Sequence, residues 1–153
     1  MVIDKELIKI INCSSTHKVI STVNPDGTPH VVFKNSIYVN REGNIIVCEI
    51  IENSVTNRNM VNSIWFNKKI SFNFLSEDNR SYLIRGVPMR AIISGKEFEK
   101  YYQYINDLYG NIDLSTVWIV CPEFINEETL EKRRIEEMNK HKIINHLDRL
   151  LIN

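Results

Sequence analysis

Few residues in this chain are spaced for chemistry. Its four histidines make poor metal ligands. His141 and His146 stand five apart, which at about 100° per residue separates them by roughly 140° around a helix, whereas two ligands on one helical face need three or four. His17 and His30 fall on neighbouring segments of a hairpin and could face each other, but no third ligand is in reach. No metal site is expected. The patterns GxSxG, HExxH and GxxxxGK[ST] do not occur, and five glycines leave no glycine-rich phosphate loop. No catalytic constellation is visible. Cys13, Cys48 and Cys121 lie far apart without a CxxC pair or an activating neighbour, so they read as buried small hydrophobes. Their odd number, and an acid inside the N-terminal MVIDKELIKI, argue against a secreted disulfide scaffold and for a cytoplasmic address. What remains is CEIIENSVTNRN, a strand end feeding a helix start. There unpaired N–H groups, the Thr56 hydroxyl and Arg58 in the first turn could receive an anion.

The elements around that junction follow from periodicity. Asp4 caps a short helix with Leu7, Ile8 and Ile11 on its apolar face. HKVISTV and HVVFKNSIYV flank the turn Pro25-Asp26-Gly27-Thr28 and form a hairpin, and NIIVCEII, apolar nearly throughout, is a third strand buried on both faces. Thr56 is in position to cap a helix through Asn67 that carries Met60, Val61 and Ile64. KISFNFLS places Ile70, Phe72 and Phe74 on one face, and SYLIRGVPMRAII follows, bent near Gly86 and Pro88. Ser94 and Glu97 fit a capping box ahead of Phe98, Tyr101, Tyr102, Ile105 and Leu108, with Gly110 as the stop. TVWIVCP is a sixth strand ended by Pro122. Asn126 opens a charged helical stretch that turns amphipathic at Ile143, Ile144, Leu147, Leu150 and Leu151.

Composition agrees with one globular domain. In 153 residues there are 23 Ile and 12 Val against 9 Leu and 1 Ala, a bias toward side chains that suit pleated sheet. Nineteen basic residues balance nineteen acidic ones, so no long-range positive field exists to gather nucleic acid or an anionic membrane, and no apolar run approaches a bilayer span. Helices do not alternate with every strand, which disfavours a doubly wound parallel sheet. The expected architecture is mostly β: a six-stranded antiparallel barrel over 1–125 with a C-terminal helical extension over 126–153.

The order of these motifs is more specific than any one of them. VISTVNPDGTPHVVFKNSIYV, EGNIIV, VTNRNMV, KKISFNF, YLIRGVPM and ISGKEFE, spanning roughly Ile8 to Pro122, resemble the FMN-binding split barrel of the pyridoxamine 5'-phosphate oxidase superfamily. The resemblance is strongest to its small bacterial FMN-binding proteins and flavin reductases. It implies that the strand from His30 to Ser36 lies along the isoalloxazine ring. Backbone groups of Val31, Val32, Phe33 and Lys34 and the side chains of Asn35 and Ser36 would meet the ring's polar edge. It also implies that Thr56 holds the phosphate and that Asn59 steadies the helix start. The family commonly places Lys or Arg just before that threonine, whereas Val55 stands here. A phosphate without this cation loses a charge-assisted hydrogen bond of about 1.5–3 kcal/mol, and Lys34 or Arg58 is the candidate substitute. The resemblance further implies a homodimer with flavin between two barrels, and an oxidoreductase taking a hydride from NAD(P)H. The alternative is a non-catalytic barrel that binds another ligand, such as haem, or none.

Overall fold

The computed structural model describes residues 2–141. Four helices and seven strands follow the order α1 (Lys5–Asn12), β1 (His17–Val23), β2 (Pro29–Phe33), β3 (Ile37–Val39), β4 (Ile45–Glu49), α2 (Val55–Trp65), β5 (Ile70–Leu75), β6 (Ser81–Ile92), α3 (Gly95–Tyr109), β7 (Thr116–Glu127), α4 (Leu130–Lys140). All strand pairs are antiparallel, in the sheet order β2-β1-β5-β6-β7-β4-β3. The two edge strands, β2 and β3, are consecutive in the chain and separated only by residues 34–36. Three residues cannot bridge the width of a flat seven-stranded sheet, so the sheet must curl until its edges meet.

The exchange of partners is visible bond by bond. The Lys34 N–H donates to the Lys18 carbonyl at 2.9 Å, extending the β1 pairing, while the Ser36 carbonyl accepts from the Cys48 N–H at 2.9 Å, starting the β4 pairing. The hairpin's return strand therefore serves both edges. Six strands were expected because HVVFKNSIYV reads as one run. It is two strands, because at Asn35 the chain leaves one neighbour for another.

β4 is buried at every position, as its unbroken apolar character implies. Ile45 and Val47 join the interior with Ile20, Ile70, Phe72, Phe74, Ile84 and Trp118, which Leu7 and Ile11 of α1 and Met60 of α2 close over. Ile46 and Cys48 face outward into a second cluster, where Ile105 packs with Phe98, Tyr101 and Tyr102 of α3 alongside. The period-two alternation of one strand thus supplies both layers. Within α2 only Met60 of the expected apolar trio is buried; Val61 and Ile64 are exposed, as is Leu108 at the end of α3.

Several element ends differ from expectation. Ser54, not Thr56, is the N-cap of α2: its hydroxyl accepts from the Asn57 N–H at 3.0 Å, and Thr56 sits within the first turn. Ser94 precedes α3 without a side-chain cap bond, and Glu97 pairs instead with Arg90 across to β6. β7 runs past Pro122 to Glu127, its register shifting so that Gly86 faces Pro122 while Arg85 faces Phe124. The shift leaves Glu123 outside the pairing, so the missing proline N–H falls at an irregularity of the ladder. The predicted bend at Gly86 and Pro88 lies at this shift and at a second one between Pro88 and Arg90. Thr129, not Asn126, stands at the N-cap of α4, which buries no side chain. The amphipathic stripe at 143–151 lies outside the described residues. No helix among the described residues is long and apolar enough to cross a membrane.

Candidate functional site

The crossing from β2 to β3 and the start of α2 form the walls of a cleft of about 470 Å³. His30, Val32, Phe33, Lys34, Asn35 and Ser36 line it from the crossing, and Ser54, Val55 and Thr56 from the helix. Glu49, Ile50 and Ile51 form the link between the two walls, and Tyr109 closes one side from the end of α3. Of the ten residues singled out in the sequence, seven lie on this one surface. Val31 does not line it, and is 60% exposed on β2. Arg58 lines a separate hollow of about 260 Å³ with Asn24, Pro25 and Asn62. Asn59 is buried beneath that hollow, its side-chain amide donating to the Thr22 hydroxyl at 3.0 Å and to the Asn24 side-chain oxygen at 2.8 Å. It ties α2 to the end of β1 and thereby holds the helix start against the hairpin.

The helix start is fixed by polar contacts on every side. Thr56 Oγ1 lies 3.3 Å from His30 Nε2, joining α2 to β2. Asn57, on the next position, accepts at 2.7 Å from the indole N–H of Trp118 on β7 and donates at 2.7 Å to the Glu52 carbonyl. The first N–H groups of the helix have no carbonyl in a preceding turn to bond, so the cleft receives the positive end of the helix dipole. On the opposite wall the Ser36 hydroxyl donates to the Cys48 carbonyl at 2.6 Å, which pins the crossing to β4. Beneath it, buried Lys18 donates to the Ile37 carbonyl at 2.9 Å, and loss of water pushes its ammonium pKa down. As an edge strand, β2 leaves half its backbone donors and acceptors without a strand partner on one side.

The cleft also holds a charged pair. Lys34 Nζ lies 3.0 Å from Glu49 Oε2, with the glutamate side chain 1% and the lysine 16% exposed. The same oxygen accepts from the Ser54 hydroxyl at 3.1 Å, while Oε1 is buried with no hydrogen-bond partner among the described residues. The sequence signal for Glu49 is a lone carboxylate closing an otherwise apolar strand. Read as burial on both faces, that strand hid the question of what a buried acid would bind. Ser54 was equally legible, three residues before the N–H it caps.

His17 pairs across the ladder with Leu75 and His30 with Thr22, so the two imidazoles do not face each other. No group of three or more His, Cys, Asp or Glu residues among those described could hold a metal ion. Cys48 is buried, and desolvation pushes its thiol up to about 12. Cys121 is half-buried. Cys13, expected in the interior, is exposed where the chain turns out of α1, and its contact with the Ser15 hydroxyl pulls its pKa down.

No family model matches the sequence, and no curated protein does. Solved structures do match. HupZ of Group A Streptococcus aligns with a TM-score of 0.69 at 21% identity, over 84% of this chain and 96% of its own. An FMN-binding protein from Syntrophomonas wolfei aligns at 0.65 and 15% identity, over 83% and 89%. HutZ, the haem storage protein of Vibrio cholerae, aligns at 0.58 and 14%, over 83% and 95%. These likenesses show a shared fold: the chain is an antiparallel split barrel, as the order of its motifs indicated.

Proposed function

We propose that this protein is an FMN-binding flavoprotein whose cofactor lies in the cleft between the β2–β3 crossing and the start of α2. The observation that carries this reading is the meeting of seven sequence-selected residues, from two segments about 20 positions apart, on a single cleft of about 470 Å³. The FMN-binding protein of the same fold supports the choice of ligand. The outward backbone groups of the β2 edge and the exposed Asn35 side chain would meet the polar edge of the ring, with Val32 against its face. Thr56 and the α2 N-terminus would receive the phosphate. Bound flavin would supply hydride and single-electron transfer between NAD(P)H and an acceptor, and no acid or base from the chain is obligatory for that exchange. What the chain contributes is orientation of the ring and exclusion of water.

A second copy of the chain completes this reading. Phe33 is 77% and Ile51 62% exposed, both on the walls of the cleft. Apolar side chains gathered at one mouth suit a partner's surface, so we propose a homodimer that covers the flavin. The test is titration of the purified full-length chain with FMN, followed by flavin fluorescence and by light scattering. Saturable binding at one flavin per chain in a particle of twice the monomer mass supports the proposal. Absence of flavin binding overturns it.

One observation favours a second reading. The cation expected beside Thr56 is replaced by Val55, and Lys34, the cation that lines the cleft, is held by Glu49. That arrangement suits a barrel with a different ligand, as in the haem storage protein of the same fold. A Soret band on addition of haem, without any response to FMN, would decide for it.

A further inference from the structure

We propose that Glu49 is an internal anion that competes with a ligand's phosphate for Lys34 and for the start of α2, and so sets how strongly the cleft prefers a phosphorylated ligand. The inference rests on the flavin reading above. Glu49 closes β4 just ahead of the helix, and its Oε2 already holds the partners an incoming phosphate would seek: the Lys34 ammonium at 3.0 Å and the hydroxyl of the N-cap Ser54 at 3.1 Å. The carboxylate therefore sits at the positive end of the helix, where an anion is stabilised, with a cation opposite. Its other oxygen, Oε1, is buried without a hydrogen-bond partner among the described residues. A buried carboxylate satisfied on one side only is a costly arrangement, which points to a role other than stability.

The consequence follows from charge. In the cleft the charges of Lys34 and Glu49 cancel as an ion pair. A phosphate entering beside Thr56 meets the dipole of α2 but also the Glu49 carboxylate, and gains Lys34 only by drawing it away from that carboxylate. A flavin without phosphate encounters no such contest. Val55 sharpens the effect, since the position just before Thr56 supplies no second cation.

The test compares FMN with riboflavin on the full-length chain and on Glu49→Gln, with folding of the variant followed by its melting curve. In the wild type the two ligands should bind within about tenfold of each other, because the phosphate contributes little net attraction. In Glu49→Gln, which keeps the shape and removes the charge, the preference for FMN over riboflavin should rise by at least about tenfold. A wild-type preference above tenfold, or a preference unmoved or lowered in the folded variant, overturns the proposal while leaving the flavin site intact. The wild-type comparison stands alone if the variant does not fold. Failure of both ligands to bind either protein overturns the flavin reading, and this inference with it.

Discussion

Thr56 and Ser54 divide a task that the sequence assigned to one residue. Ser54 supplies the cap through its bond to the Asn57 N–H and also donates to Glu49, so Ser54→Ala removes both contacts. It should destabilise the fold by about 1 kcal/mol, read as a lower denaturation midpoint at unchanged slope. Thr56 is free of the capping role, and among the described residues its hydroxyl hydrogen-bonds His30. Thr56→Ala, at a buried position, should cost about 1 kcal/mol of stability and weaken FMN by about 1–2 kcal/mol through one lost hydroxyl. Unaltered FMN affinity in that folded variant would place the phosphate elsewhere. A lysine at the place of Val55 should tighten FMN binding, because it supplies a cation that Glu49 does not hold; equal or weaker affinity would count against a phosphate beside Thr56. The residues of this site were legible as types along the chain. Their pairings were not, because the Lys34–Glu49 contact joins segments brought together only when the sheet curls.

At the scale of elements, the decisive feature is one run of sequence that becomes two strands. In HVVFKNSIYV the local mark of the change is the polar run Lys34-Asn35-Ser36, which a single continuous strand can also carry, while the apolar residues on both sides favour extended backbone. The break is imposed by closure of the sheet, a long-range demand that a local pattern does not carry. The bend of β6 was legible because it depends on local chemistry. Gly86 passes so close to β7 that a Cβ there would lie 2.4 Å from the Cys121 carbonyl oxygen. That neighbour is backbone and cannot swing aside, so Gly86→Ala should force the two strands apart. A loss of about 1–3 kcal/mol is expected, measured by thermal or denaturant unfolding. A variant as stable as the wild type would mean that the β6–β7 ladder yields at its register shifts. α4 was legible as helix for the opposite reason: its charged residues suit an exposed helix, and it buries none of them.

For the whole molecule, the two-layered core makes a prediction about pH. Burial raises the Cys48 thiol from its ordinary 9.0 to about 12 in the folded protein. Between those values the unfolded chain has released a proton that the folded chain retains, so raising the pH across that window favours unfolding. The stability tied to Cys48 is complete below pH 9 and is lost as pH rises toward 12. Denaturant midpoints from pH 8 to 10.5 should fall more steeply in the wild type than in Cys48→Ala, whatever the variant's starting stability; parallel slopes would show that the thiol ionises freely. Domain class, the mostly β character and the location of the cleft could all be read from the chain, because they follow from patterns repeated over many residues. Strand count and the buried ion pair could not, because each depends on a single long-range contact. The central claim is that the cleft between the β2–β3 crossing and the α2 start holds flavin. Its most direct test is amide hydrogen exchange of the full-length chain with and without FMN. Protection is expected to concentrate in residues 30–36 and 54–59. Protection elsewhere, or none at saturating FMN, would contradict it.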